Sequence, residues 1–189
     1  MTQGKLIILS APSGSGKTSI VRYLMKQFDN LRFSVSATNR PMRAGETDGV
    51  DYHFLSTGDF KQKIQENKFV EWEEVYNGRF YGTLITAVDD VISEGGHVVF
   101  DVDVVGGLNI KKAYGNQAIA IFIKPPSLEA LADRLRKRES DSPEDIADRL
   151  EKAEWEMGFA GKFDHIIVND RLQEARDECL HLVENFINQ

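Results

Sequence analysis

Residues 5–18 read KLIILSAPSGSGKT, an apolar run that breaks into a Gly/Ser-rich turn and ends on a Lys-Thr pair. Beyond Lys17 the apolar residues Ile20, Val21, Leu24, Met25 and Phe28 fall at helical spacing, so the turn joins a buried strand to a helix. A phosphate-cradling loop is written G-x-x-x-x-G-K-[ST]. Here Ala11 stands at the first glycine position, while Gly16, Lys17 and Thr18 match the rest. That first position ends a strand, where alanine is admissible if its φ is negative. Gly14 and Gly16 let backbone N–H groups converge on phosphate oxygens, and the helix start adds its positive dipole end. Lys17 can reach the β and γ phosphates, and Thr18 can hold Mg²⁺. The alternative is a loop that merely turns the chain; the strand before it, the helix after it and the Lys-Thr pair argue against that.

Three further apolar runs, HVVFDVD (97–103), AIAIFIK (118–124) and HIIVND (165–170), share the character of the first. They are too continuous for strands with one wet face, and helical stretches separate them. The pattern predicts a doubly wound α/β fold: a parallel-sheet core with helices on both faces. At 189 residues and 41% hydrophobic the chain can bury a proper core, and it shows no repeat or linker-like tract, so any subdivision is by insertion into one domain. The single cysteine, Cys179, falls on the apolar face of residues 172–187 with Leu172, Ala175, Leu182, Val183 and Phe186, which predicts core packing.

A formal charge of −7 argues against general nucleic-acid binding, so an anionic ligand must meet local clusters of Arg and Lys. The longest apolar run is too short to cross a bilayer and the amino terminus lacks a secretory pattern, so the expectation is a cytoplasmic protein without membrane partners. His53, His97, His165 and His181 show no metal-ligand or triad spacing.

Residues 34–54, SVSATNRPMRAGETDGVDYHF, set Arg40 and Arg43 three apart among turn formers. Two guanidinium forks and the hydroxyl of Tyr52 can bind the phosphate of a second, acceptor molecule; taken alone, two such arginines are as well explained as solvated side chains. Downstream, residues 69–83 (FVEWEEVYNGRFYGT) and 100–107 (FDVDVVGG) place Glu71, Asp101 and Asp103 among aromatic and apolar neighbours. Asp101 and Asp103 alternate along one strand, so both can point to one side near its carboxyl end, where open α/β sheets place ligands. Trp72, beside Glu71, is read as a packing residue that can wall off a bound base, and Trp155 as packing. In residues 127–153, Leu128, Leu131, Ala132 and Leu135 form one helical face. Ser142 and Pro143 begin a second helix as N-cap and first helical residue.

The set APSGSGKTS, SVSATNRPMRAGE, GVDYHF, FVEWEEV, FYGT, FDVDVVG, IKPPSLEALADRLRKR and IVND, in this order and spacing, resembles guanylate kinase over nearly the whole chain. The resemblance implies transfer of the γ-phosphoryl group of ATP to GMP, with Mg²⁺, by a P-loop nucleoside monophosphate kinase fold. It implies a core of residues 1–33, 86–125 and 150–189, an inserted mixed α/β GMP-binding region at 34–85 and a helical lid at 126–149. Residues 11–19 (Ala11, Pro12, Ser13, Gly14, Ser15, Gly16, Lys17, Thr18 and Ser19) and Asn169 would hold ATP. Asn169 reads equally as the cap of a strand-to-helix turn. Ser36, Arg40, Arg43, Tyr52, Glu71, Tyr81, Thr83, Asp101 and Asp103 would form the GMP site, with Arg40, Arg43, Tyr52 and Tyr81 on the phosphate. Lys17, Arg134, Arg138, Arg149 and Asp101 would be catalytic, with Thr18 on Mg²⁺ and Asp101 near it through water. Without the resemblance, Arg136 and Lys137 serve as well as the other lid cations.

A carboxylate suits guanine because N1–H and N2–H₂ are adjacent donors that an acceptor-only group takes bidentately; on the resemblance Glu71 would be the principal reader, assisted by Asp103, whereas without it EWEE (71–74) reads as an acidic surface turn. Two positions depart from the family pattern: Asn39 where threonine is common, and Glu139 where glycine is usual. A guanylate-kinase-like module that binds peptides, or another P-loop kinase or nucleotide sensor, are the competing readings. The chain is expected to be a monomer or homodimer.

Overall fold

The computed structural model describes residues 4–76, 78–137 and 142–189. Its main sheet is parallel and five-stranded. The chain order is β1 (Leu6–Ser10), β2 (Leu31–Phe33), β7 (His97–Asp101), β8 (Ala118–Lys124) and β9 (His165–Val168), and the spatial order is β2-β7-β1-β8-β9. Every residue of β1 is buried, as a central strand covered on both faces requires. Ile7 and Leu9 point to one face and pack with Ile20, Val21 and Leu24 of α1 (Lys17–Leu24) and with Ala175, Cys179 and Val183 of α7 (Leu172–Ile187). Leu6 and Ile8 point to the other, against Val88 of α3 (Ile85–Ser93) and Val104 and Ile110 of α4 (Val104–Tyr114). Burial pushes the Cys179 thiol up to about 12, which leaves it a small core hydrophobe.

Three expectations need correction here. The sheet has a fifth strand, β2, too short and too little buried to show an apolar run: of its three residues only Leu31 is enclosed. β9 is not covered on both faces, since it closes the sheet edge and leaves Ile166 43% and Val168 51% exposed. The first helix stops at Leu24, with Met25 as its C-cap, so Phe28 packs on the core from the following turn.

Residues between β2 and α3 build a second sheet in the order β4-β3-β6-β5, from β3 (Ala37–Thr38), β4 (His53–Phe54), β5 (Phe69–Tyr76) and β6 (Arg79–Leu84). α2 (Thr57–Gln65) closes it, N-capped by Ser56, whose hydroxyl accepts from Asp59 N–H at 3.0 Å. The small core is aromatic: Phe60 stacks on Phe69 at 4.4 Å and on Phe80 at 5.5 Å between ring centres. Asn39 stitches this sheet together. Its amide donates to Thr57 Oγ1 and the Gly78 carbonyl and accepts from Phe80 N–H, at 2.7–2.9 Å.

α5 (Leu128–Arg136) and α6 (Pro143–Met157) share their own cluster of Leu131, Leu135 and Ala153. α6 begins as the sequence predicts, with a capping box in which Ser142 Oγ accepts from Asp145 N–H at 3.1 Å and Asp145 accepts in return from Ser142 N–H.

Candidate active site

β1 lies where the chain order of the main sheet changes direction, and its carboxyl end runs straight into the Gly/Ser-rich loop. Ala11 is buried and has an ordinary negative-φ backbone, since Asn67 is the one non-glycine residue with positive φ among the described residues. Gly14 and Gly16 both sit at φ +93°, a conformation that side chains resist, and there the loop curls. Gly16 is also the N-cap of α1. It offers no side-chain acceptor to the first turn, so the amide donors there are available to an anion.

The loop lines a cavity of about 380 Å³ with residues 11–14 and 16–19; Ser15 is turned away, its Oγ enclosed without a partner. The opposite wall is Asp101, Val102, Asp103, Arg149, Lys152 and Glu156. Lys17 Nζ stands 2.7 Å from Asp101 Oδ1 and donates to the Val102 carbonyl at 2.9 Å. Thr18 Oγ1 donates to Asp101 Oδ2 at 3.3 Å. Arg149 reaches across from α6 and donates to Ser13 Oγ at 3.4 Å. Glu156 is buried beside this cavity, and burial raises its carboxyl above the ordinary range while Lys152 and Lys17 oppose the shift.

Arg134 and Asn169 lie behind the loop. Arg134 donates to the Asn169 carbonyl at 2.7 Å and to that of Asp170 at 3.3 Å; the Asn169 amide donates to the Ser15 carbonyl at 2.7 Å. Asn169 thus braces the loop, and its Oδ1 is buried with no donor. The competing Arg136 is spent on a solvent-exposed pair with Asp133 in its own helix, and Lys137 is exposed. Arg138 and Glu139 lie outside the described residues.

A second cavity, of about 300 Å³, opens on the other side of the same strand end, lined by Ser36, Tyr52, Glu71, Glu73, Tyr81, Gly82, Asp101, Val102 and Asp103. Antiparallel pairing sets Glu71 opposite Thr83 and Glu73 opposite Tyr81. Buried Thr83 donates to Glu71 Oε1 at 2.8 Å, which fixes the carboxylate without itself lining the space. Burial pushes the Glu71 carboxyl up, against the Thr83 hydrogen bond and with the help of the Asp103 charge. Glycine at 106 gives Glu71 its place: a Cβ there would stand 3.1 Å from Oε2.

Asp103 corrects the sequence expectation. β7 ends at Asp101, and Asp103 is the N-cap of α4, its Oδ1 accepting from Gly106 N–H at 2.8 Å. Both carboxylates still reach the same cavities, one as a strand end and one as a helix start. Trp72 is corrected too: strand alternation turns it away from Glu71, onto Phe80, where it is 45% exposed and lines neither cavity. Trp155 is likewise exposed, edge-on to Phe159.

Neither Arg40 nor Arg43 lines the second cavity directly. Arg40 is buried behind Tyr52, its guanidinium 4.8 Å from that ring and 5.4 Å from the ring of Phe54. Its fork is filled by Glu46 through bonds of 2.7 and 2.5 Å, and Glu46 also accepts from Arg43 N–H at 2.8 Å. The Arg40 hydrogen bond, followed by that of the Arg43 backbone, pulls the Glu46 carboxyl down to about 2. The Arg43 side chain is exposed. Sequence reading missed Glu46, Glu73, Lys152 and Glu156. Glu46 and Glu73 sit three residues after Arg43 and two after Glu71, spacings that could have found them.

Two cavities therefore share the wall Asp101–Val102–Asp103, one bearing the Gly/Ser-rich loop and the other the half-buried Glu71 carboxylate. Residues 3–188 match the protein family described as guanylate kinase. The chain is 53% identical to a guanylate kinase of Bacteroides thetaiotaomicron over 186 residues, covering 98% of this chain and 91% of that one. It is 49% identical to one of Chlorobaculum tepidum over 189 residues, covering all of this chain and 96% of the relative. The crystal structure of guanylate kinase from Anaplasma phagocytophilum superposes with a TM-score of 0.74 at 28% identity, covering 98% of this chain and 87% of that one. The strand order, the paired cavities and these relatives agree: this chain belongs to the guanylate kinase family.

Proposed function

We propose that this chain transfers the γ-phosphoryl group of ATP to GMP, giving ADP and GDP, and accepts dGMP as well. The carrying observation is the shared wall: the loop cavity and the carboxylate-lined cavity meet at Asp101–Asp103, so donor and acceptor phosphates converge on one point. Within this reading, residues 34–85 bind the acceptor and residues 126–149 form the lid. Among the described residues no helix is long and apolar enough to cross a membrane, in keeping with substrates drawn from the cytoplasm.

A non-bridging oxygen of the GMP phosphate attacks the γ-phosphorus of ATP, the bond from that phosphorus to the bridging β–γ oxygen breaks, and its electron pair leaves with ADP. The attacking oxygen already carries a lone pair, so Asp101 is not required as a base. The reaction needs positioning and charge neutralisation above all. Lys17 and the α1 amides hold the β and γ phosphates, with Arg149 and Lys152 facing them from α6. Arg134 and Asn169 set the base end of the donor site, and Arg138 joins from the lid. On the acceptor side Glu71 takes guanine N1–H and N2–H₂, with Asp103, Ser36 and Thr83 around the base; Tyr52 and Tyr81 face the phosphate, with Arg40 behind Tyr52 and Arg43 on the adjoining loop supplying positive charge.

The donor set fits Mg²⁺. Thr18 Oγ1 and Asp101 Oδ2 are hard oxygens 3.3 Å apart beside the phosphate cradle, and Mg²⁺ prefers one or two such ligands completed by phosphates and water. When bound, the ion would neutralise charge on the β and γ phosphate oxygens. Thr18 and Asp101 would hold it, Asp101 directly or through water.

An assay of ADP formation from ATP with GMP, dGMP, AMP, CMP and UMP tests the reading. Turnover confined to GMP and dGMP supports it. Binding without turnover would indicate a sensor or binding module, and turnover of AMP at a comparable rate would indicate another monophosphate kinase.

A further inference from the structure

Glu73 lines the acceptor cavity beside Glu71 and contacts neither the guanine edge nor the phosphate in the proposed function. It shares the inward face of β5 with Glu71, one side-chain repeat of about 7 Å further along the strand. Its cross-strand partner is Tyr81, whose ring meets Tyr52 edge-on at 5.9 Å, and Tyr52 in turn carries the Arg40 guanidinium. The β6 side of the cavity at this level is therefore the phosphate side. The β5 side, where Glu73 stands, faces Asp103 and, from α6, Lys152. The wall thus changes character within one strand step: a base reader at Glu71–Thr83, then a phosphate side and an acidic side facing each other at Tyr81 and Glu73.

Resting on GMP as the acceptor, this layout leaves one group of the substrate for Glu73. The guanine donors go to Glu71, and a phosphate cannot settle between the carboxylates of Glu73 and Asp103. Between base and phosphate lies the ribose, whose 2′- and 3′-hydroxyls are neutral donors matched to a carboxylate acceptor. We propose that Glu73 is a substrate-contacting specificity residue that accepts hydrogen bonds from the ribose hydroxyls of the acceptor nucleotide, so that the site prefers the ribonucleotide over its 2′-deoxy form. Glu73 is exposed on its strand, so replacing it does not open the core.

The test is calorimetric titration at pH 8, where Glu73 is ionised, of GMP and of dGMP into the wild-type protein, Glu73→Ala and Glu73→Gln. In Glu73→Ala the affinity for GMP falls at least about tenfold, the effect of losing hydrogen bonds to a charged group, while that for dGMP, which keeps only the 3′-hydroxyl, falls clearly less, by about threefold. Glu73→Gln keeps one acceptor oxygen and falls between. Equal losses for both nucleotides would mean that Glu73 acts through Lys152 or the lid and would overturn the inference, as would no loss for either. A wild-type protein that does not bind GMP would instead overturn the proposed function.

Discussion

Lys17 and Asp101 are joined by an ion pair of 2.7 Å that ties the phosphate loop after β1 to the carboxyl end of β7. Each has a second partner in the same corner, the Val102 carbonyl for Lys17 and the Thr18 hydroxyl for Asp101, so the ammonium is held at the junction of the two cavities. In the proposed transfer the pair would keep a cation where negative charge accumulates.

Lys17→Ala should therefore lower kcat by about 10²–10³-fold, the usual effect of deleting one preorganised electrostatic stabiliser, while the protein stays folded. Coupled ADP-release kinetics and thermal unfolding on the same sample check both halves. Near-normal turnover would remove Lys17 from the mechanism.

Glu71→Gln replaces one acceptor oxygen with an amide donor that faces guanine's own donors. The expected loss in kcat/KM for GMP is on the order of 100-fold or more, with the KM for ATP within about twofold, because the altered group lies in the acceptor cavity alone. Steady-state kinetics varying each nucleotide in turn decide it. A defect on the ATP side alone would contradict the placement.

Glu46 holds the buried Arg40 fork and, through the Arg43 backbone, the loop that presents both arginines. In Glu46→Gln the KM for GMP should rise several-fold without a matching rise for ATP. The pair also predicts a pH signature. A carboxyl held at about 2 in the folded protein contributes stability that is present above the ordinary carboxylate range and is lost as pH falls toward 2. Urea unfolding should therefore show the gap between wild type and Glu46→Gln narrowing from pH 7 to pH 3.

Glu73 has the opposite sign. The hydrogen bond with Asp103, then burial, pushes its carboxyl up to about 7, and burial raises Glu71 and Glu156 as well. A raised carboxyl pKa stabilises the fold below the unfolded value, and that contribution is lost as pH rises through the folded value. Thermal melts should show Glu73→Gln gaining on wild type between pH 5 and pH 8. A constant difference across that range would mean the acidic groups do not interact.

How much of this was readable in the chain depends on how local each feature is. The strand, loop and helix around Lys17 are a continuous segment whose apolar spacing and glycines carry the structure, and the Ser142 capping box closes within four residues. Asn39 looked like a departure from a binding loop. Its amide instead bridges Thr57, Gly78 and Phe80, up to 41 residues away, a pairing that no local pattern encodes. β2 was missed because it owes its existence to pairing with β7. V-D alternation continues through the strand end and so gives Asp103 the pattern of a strand residue; only the chain's turn into α4 makes it a cap. Glu46 and Glu73 stand at spacings that make them neighbours of Arg43 and Glu71, but in a chain with 30 acidic residues such spacing is common, and the partner that folding brings decides which carboxylate matters.

On the proposed function, the two cavities meeting at Asp101–Asp103 form one reaction site. Adenosine and guanosine joined at their 5′ oxygens by a chain of five phosphates would span both, and its calorimetric titration tests the claim most directly. One molecule should bind per chain, tighter than either ATP or GMP, displaced by both nucleotides and weakened by both Lys17→Ala and Glu71→Gln. Displacement by only one nucleotide, or two molecules bound per chain, would contradict it.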